Sequence, residues 1–393
     1  MTGPRLFLIA GEPSGDQLGA ALIAGLRQLA ADVRLDGVGG PAMAAQGFAS
    51  RFPMEELSVM GVTEILPRLP TLLRRIRETA AAIVEARPDA VIGIDSPDFC
   101  LRVDARARAA LPGLRVMHYV APSVWAWRPG RAAKMARVVD HVLALLPFEP
   151  SYMEAAGMTC DFVGHPAAAV PQATPAEVAA VRAGLGLAPD QRLLVVLPGS
   201  RRGEAARLAP IFAETLRRLR AADPSLAAVV PTVGPTTELV AALMPPDAAG
   251  WPRLLDPRGL PAAEADARKR AAFAAADAAL AASGTVSLEL AAAGTPMVIG
   301  YRVSWLTGEV ARRLLRIDTA TLVNLVTETR VVPERFQRDC TPDRLAPDVA
   351  RLLNDPAAAA AQRAAADAAM VLLGRGGEPP GLRAARSVLG RLG

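Results

Sequence analysis

A glycine turn between an apolar strand and a helix is a simple way for a chain to hold an anion. One such turn is Ala282-Ser283-Gly284-Thr285-Val286-Ser287-Leu288-Glu289, which follows the apolar run Ala278 to Ala281 and opens a helix predicted over 286–293. Free amides at a helix N-terminus and the positive end of its dipole favour a phosphate there, and Gly284 lets it come close. Glu289 falls about one turn into that helix, where a carboxylate can accept hydrogen bonds from ribose hydroxyls. The same residues also suit a capped helix, with Ser283 or Thr285 on the orphan amides and Glu289 solvated. A second turn, Gly199-Ser200-Arg201-Arg202-Gly203-Glu204, again lies between a strand and a helix. Arg201 offers a planar, permanently charged donor to a diphosphate. Either the two turns hold one ligand together, or each is a tight turn with solvated side chains.

The first half carries carboxylates at corresponding strand ends. In Gly93-Ile94-Asp95-Ser96-Pro97-Asp98-Phe99, Asp98 can act as general base on an acceptor hydroxyl or cap the helix that begins near Phe99. Asp95 reads as a capping or structural group. Gly11-Glu12-Pro13-Ser14-Gly15-Asp16 closes the first strand, with Glu12 as a cleft group and Asp16 as a helix-start residue. Trp125 and Trp127 share the loop His118 to Arg131 in a chain with only 4% aromatic residues. They suit a sugar wall, a lipid contact or plain loop packing. His118 reads as a hydrogen-bonded structural histidine. Leu66, Leu69, Leu72, Leu73 and Ile76 share a helical face that Pro67 and Pro70 interrupt and Arg68, Arg74, Arg75 and Arg77 edge. Such a stripe either faces a core or lies in an anionic interface. No His, Cys or carboxylate cluster has ligand spacing, so no metal is expected.

Positioning these residues takes a regular framework. Apolar runs at 5–10, 33–38, 90–94, 114–120, 142–146 and 160–163 read as strands separated by helical stretches. A second series follows at 193–197, 227–230, 254–256, 278–281 and 297–299. Such alternation predicts mostly parallel sheets covered on both faces, with active residues at the carboxyl ends of the strands. The two halves begin alike, each with a strand, a Gly-x-x-x-Gly turn and an acidic residue at a helix start. The expectation is an α/β fold of two doubly wound, Rossmann-like domains facing a cleft, over 1–168 and 169–353, with a small-residue, proline-containing linker at 167–175. Alanine-rich helices over 354–393 then return to the first domain or pack on a second subunit. The length of 393 residues suits two domains, and 51% apolar with 21% charged residues describes a globular chain. The net charge of +5 is almost all arginine, the only lysines being Lys134 and Lys269. That balance fits acidic small molecules or an anionic membrane surface, not a nucleic-acid groove. Cys100, Cys160 and Cys340 are scattered, as in a reducing cytoplasm. The N-terminal apolar run stops at Gly11-Glu12, so it reads as a strand and not a signal peptide. No window reaches the ~20 apolar residues of a membrane span, so a soluble or peripheral protein is expected.

The motifs resemble those of the lipid A disaccharide synthases, bacterial glycosyltransferases of the two-Rossmann-domain, GT-B type. The resemblance runs through Gly11 to Asp16, Ser58-Val59-Met60-Gly61, Gly93 to Phe99, Trp125-Ala126-Trp127-Arg128, Leu146-Pro147-Phe148-Glu149 and Gly164-His165-Pro166. It continues in Pro198 to Arg201, Ser283 to Glu289, Leu322-Val323-Asn324-Leu325 and Pro333-Glu334 with Gln337, and so covers nearly the whole chain. It implies an inverting transfer of 2,3-diacylglucosamine from its UDP ester to 2,3-diacylglucosamine 1-phosphate, forming a β-1,6 linkage and releasing UDP. By the same resemblance Asp98 is the base with Glu12 close by. Gly199, Ser200, Arg201, Ser283, Gly284 and Thr285 hold the diphosphate, Glu289 binds ribose, and Asn324 and Gln337 complete the donor site. Ser14, Gly15, Asp16, Met60, Trp125, Trp127 and Arg128 lie on the acceptor side of the cleft. The acylated substrates imply that Leu66, Leu69, Leu72, Leu73 and Ile76 meet the cytoplasmic face of the inner membrane. UDP enters with the donor, and neither a metal nor a separate cofactor is implied. Partners are then the acylated glucosamine lipids and a second copy in a homodimer, with no nucleic acid. The rivals are other UDP-N-acetylhexosamine enzymes of this fold, such as the peptidoglycan glucosaminyltransferase or UDP-GlcNAc 2-epimerase, and a non-catalytic nucleotide-sugar-binding regulator.

Overall fold

Strands buried on both faces can only pair side by side under helices, and this chain forms two such sheets. The structure is a computed structural model that describes residues 3–57, 62–126, 130–303 and 317–392, with the side chains of 62–67 left aside. It divides into a first unit, Met1–Ala169 with Leu373–Gly393, and a second, Val170–Leu372. The first holds β1 (Arg5–Ala10), α1 (Pro13–Leu29), β2 (Arg34–Val38), α2 (Pro41–Ala45), α3 (Val62–Ala86), β3 (Ala90–Ile94) and α4 (Pro97–Ala110). After them come β4 (Arg115–Tyr119), α5 (Gly130–Met135), β5 (His141–Ala144), α6 (Glu149–Glu154) and β6 (Thr159–Phe162). The strands are parallel in the order β2-β1-β3-β4-β5-β6. Period-2 alternation sends Phe7, Ile9, Val91, Val116 and Val142 to one apolar cluster, and Leu6, Leu8, Ile92, Met117 and Leu143 to another.

The second unit runs α7 (Pro175–Gly184), β7 (Leu193–Leu197), α8 (Arg202–Ala222), β8 (Ala227–Pro231), α9 (Thr237–Leu243), β9 (Arg253–Leu255) and α10 (Ala262–Ala275). It goes on through β10 (Ala278–Ala282), α11 (Val286–Ala292), β11 (Met297–Tyr301), α12 (Leu322–Thr327), β12 (Glu334–Phe336), α13 (Pro342–Asn354) and α14 (Pro356–Leu372). Its parallel order is β12-β11-β10-β7-β8-β9. The two doubly wound α/β sheets are those the alternating pattern predicts. β12 was not legible in it, because three half-buried residues, Glu334-Arg335-Phe336, make no apolar run. In each sheet the first strand has neighbours on both sides, so the winding reverses there. The switch points fall between β1 and β3 and between β7 and β10, where ligands of open α/β sheets bind.

The tail, expected as one piece over 354–393, divides between Leu372 and Leu373. α14 stays in the second unit, with Gln362 bonded to both the amide (2.8 Å) and the carbonyl (3.1 Å) of Met297. Only α15 (Pro380–Gly390) joins the first unit, against α1. Two glycines set that crossing: a Cβ on Gly25 would lie 2.5 Å from the Gly381 carbonyl oxygen, and one on Gly381 2.4 Å from that of Ala21. Arg383 donates to the Phe162 carbonyl at 2.6 Å and Ser387 to Asp161 Oδ2 at 2.7 Å, tying α15 to β6.

The leucine stripe also divides. α3 runs unbroken through Pro67 and Pro70, and its Leu69 and Leu73 point outward at 40% and 36% exposure. Leu72 is half-buried against the core and Ile76, 4% exposed, belongs to it, so Ile76 has no membrane-facing surface. At about 100° per residue the four share one face of about 100°, with 72 and 76 toward its core side and 69 and 73 toward its outer side. Among the described residues no helix is long and apolar enough to cross a membrane.

Gly381→Val should drive its side chain into the α1 backbone and cost about 1–3 kcal/mol, read by urea denaturation. Wild-type stability in that variant would show that α15 does not depend on the close approach.

Candidate functional site

At the switch point of the first unit the turns after β1 and β3 lock together. A Cβ on Gly15 would lie 2.8 Å from the Ile94 carbonyl oxygen, and one on Gly11 2.8 Å from Ser96 Oγ. The Ser14 hydroxyl donates to Asp95 Oδ2 at 2.7 Å, which makes Asp95 the bridge between the turns. Asp95 and Ser96 are left-handed, with φ of 56° and 44°, and Val120, just past β4, has φ 90°. A β-branched residue there is a genuine outlier, and such strain gathers at functional sites.

Asp98 lies in the first turn of α4 with its side chain 94% exposed and Arg131 Nη2 3.9 Å from Oδ1. The cap position belongs to Ser96. Glu12, half-buried, stands just before α1. Asp16 serves differently from expectation. It is buried, and its carboxylate accepts from the amides of Gly40, Ala42 and Met43 at 2.8, 2.8 and 3.0 Å. It therefore holds the N-terminus of α2. His118 is structural but not hydrogen-bonded: both ring nitrogens are buried without a partner, and burial pulls the imidazole down to about 4. Met60, Trp127 and Arg128 lie outside the described residues, as does the side chain of Leu66.

Trp125 is half-buried beyond the end of β4, its ring edge-to-face with Phe148 at 5.3 Å between centroids. Its indole N–H points at Glu149 Oε1, 3.3 Å away. Glu149, at the start of α6, is 4% exposed, and its Oε2 accepts from the amides of Leu145 and Leu146 at 3.1 and 3.0 Å. Burial pushes its carboxyl up to about 7 in spite of these bonds. Glu149 stands in the motif Leu146-Pro147-Phe148-Glu149, and a motif does not reveal burial.

In the second unit β7 ends in the turn at Gly199 and the adjacent β10 in the turn at Gly284, one on each side of the switch point. Gly199 has φ 118° and Gly284 φ 149°, backbones that glycine takes most readily. Gly284 and Thr285 are exposed, and Thr285, at the cap of α11, makes no side-chain capping bond. Arg201 is exposed at the cap of α8. Glu204 reaches back so that its Oε2 accepts from the Ser200 amide at 3.2 Å, bracing the turn, and burial raises its carboxyl pKa. Glu289 is not simply solvated: Lys269 Nζ lies 2.8 Å from its Oε2, with each side chain about one-third exposed. The rarity of lysine in this chain was the one signal that could have singled Lys269 out.

Asn324 and Gln337 differ in burial. Asn324 is fully buried, its amide bonded to the Val332 N–H (3.1 Å) and carbonyl (3.0 Å) and to the Thr319 hydroxyl (3.3 Å). It staples the loop after α12 from within the core. Gln337 is half-buried and left-handed (φ 50°) directly after β12.

Two doubly wound parallel sheets, each with glycine turns at its switch point, have the fold of the two-Rossmann-domain, GT-B class. Solved structures share this fold. The UDP-GlcNAc 2-epimerase of Neisseria meningitidis bound to UDP-GlcNAc matches with a TM-score of 0.59 at 12% identity, covering 99% of this chain and 98% of that one. CalG4, the calicheamicin glycosyltransferase, matches with a TM-score of 0.56 at 17% identity over 100% of both. At such identities the likeness concerns the fold alone. The lipid-A-disaccharide synthetase family matches residues 6–375, and the chain belongs to that family. The lipid-A-disaccharide synthase of Ruegeria pomeroyi is 61% identical over 390 residues, 99% of this chain and 95% of that protein.

Because Glu149 has a raised pKa in the folded protein, its stabilising contribution is complete below the unfolded value and is lost as pH rises through about 7. The stability of Glu149→Gln relative to wild type should therefore improve by up to about 3 kcal/mol between about pH 4.5 and pH 8. A stability difference that stays constant across that range in urea titrations would contradict the raised value.

Proposed function

We propose that this chain is the inverting glycosyltransferase that joins UDP-2,3-diacylglucosamine to 2,3-diacylglucosamine 1-phosphate, giving the β-1,6-linked lipid A disaccharide 1-phosphate and UDP. The observation that carries the reading is the family match over residues 6–375, together with the glycine turns at both switch points. Inversion needs a base for the attacking hydroxyl and charge stabilisation for the departing diphosphate. Asp98 is the proposed base, supported by its exposure at a strand's carboxyl end beside the strained Asp95-Ser96 turn. Glu12 is the alternative from the neighbouring strand. For the diphosphate, the exposed Arg201 with the amides of the Gly199 and Gly284 turns is the proposed cradle, and Glu289, oriented by Lys269, is proposed to bind ribose. The epimerase reading is not favoured, since it rests on 12% identity against 61% for the synthase. Incubation with both lipids tests the assignment: disaccharide and UDP are expected, and the absence of both overturns it.

Asp98→Asn should lower kcat by about 10²- to 10⁴-fold, as for loss of a general base, while UDP affinity measured by calorimetry stays near wild type. A near-normal kcat would move the base to Glu12.

Peripheral association with the cytoplasmic face of the inner membrane is the proposed location, and a homodimer the proposed assembly. What supports the first is the outward pair Leu69 and Leu73 on an arginine-flanked helix, with acylated substrates to extract. Leu69→Ser with Leu73→Ser should reduce co-sedimentation with anionic vesicles and leave circular dichroism unchanged. Ile76→Ser should instead destabilise the fold by about 2–5 kcal/mol, as a core truncation does. Unchanged vesicle binding in the double variant would remove this surface from the proposal.

A further inference from the structure

We propose that Glu149 is a positioning residue for the acceptor: its carboxylate ties the Trp125 indole to the turn after β5 and so fixes the aromatic wall against which the acylated sugar lies. The inference rests on the reading of the Trp125 loop as part of the acceptor side. Its geometry stands on neighbouring strands. Trp125 follows β4 and Glu149 follows β5, which pair directly, so the two loops leave the same edge of the sheet side by side. Three N–H donors converge on one carboxylate, Leu145 and Leu146 on Oε2 and Trp125 on Oε1. An ionised carboxylate is acceptor-only and can take all three, whereas a carboxamide must turn its NH₂ toward one of them. The Phe148 ring, one residue before Glu149, packs edge-to-face on Trp125 and leaves the indole half-buried, with part of its surface open.

The energetics point the same way. A buried carboxyl raised to about 7 works against folding at neutral pH, so a group of this kind is out of place as mere packing. The mechanism already described uses neither Glu149 nor its bond to Trp125. A purely structural Glu149 would on loss lower stability and reduce the active fraction. A positioning Glu149 would change how the acceptor is held without touching the donor.

Steady-state kinetics separate these roles, with the acceptor varied at saturating donor and then the reverse, on wild type, Glu149→Gln, Trp125→Phe, the double variant and Trp125→Ala. Glu149→Gln and Trp125→Phe should each raise the acceptor KM about tenfold while the donor KM and the Kd for UDP stay within about twofold of wild type. The double variant should be no worse than the poorer single one, because both remove the same link. Trp125→Phe keeps a ring against Phe148 and removes the indole N–H, so it carries the test if Glu149→Gln does not fold. An acceptor KM that stays at the wild-type value in it overturns the proposal. A raised acceptor KM in Trp125→Ala with an unchanged one in Glu149→Gln overturns the link but keeps the loop as acceptor wall. An unchanged acceptor KM in Trp125→Ala removes the loop from the acceptor side and the proposal with it. Wild-type turnover in the same assay keeps these outcomes apart from a failure of the transferase assignment.

Discussion

Both sheets depend on a first strand that is paired on both edges. β1 lies between β2 and β3, and β7 between β10 and β8. Each of these strands leads over its carboxyl end through a short turn into a helix, β1 into α1 and β7 into α8. Because the winding reverses beside that strand, the helices on its two sides diverge and leave a crevice over two adjacent strand ends. The turns at Gly11 and Asp95 share one such place, and those at Gly199 and Gly284 the other. Small residues there follow from geometry: a Cβ on Gly11, Gly15 or Gly199 would meet its neighbours at 2.8 Å or less.

Near the strand ends the chain uses buried and half-buried carboxyl groups as braces. Asp16 gathers three amides of the α2 start, Glu204 holds the Ser200 amide, and Glu149 gathers two amides and an indole. A carboxylate suits this work because each oxygen accepts more than one hydrogen bond and none of its sites is a donor. The groups proposed for chemistry differ in kind: Asp98 and Arg201 are exposed and Glu289 is partly so. Carboxyls that accept backbone amides thus hold the turns, and the exposed Asp98 remains open to solvent.

The sequence by itself determined the α/β class, eleven of the strands within a residue or two and the glycine turns, because apolar periodicity and Gly placement are local and strong. Family motifs determined the reaction for the same reason, being written in contiguous residues. It did not show that the amides of Gly40, Ala42 and Met43 reach Asp16, that Glu149 is buried against Trp125, or that Asp98 stays exposed. Nor did it divide the stripe at 66–76, where Ile76 is core and Leu69 surface, or the alanine-rich tail, where Gln362 keeps α14 in one unit and Gly381 admits α15 to the other. Those choices rest on contacts between residues far apart in the chain, such as Asp16 with Gly40 or Gly25 with Gly381. Burial and charge pairing come into being only when those contacts form, so tertiary structure alone could decide them.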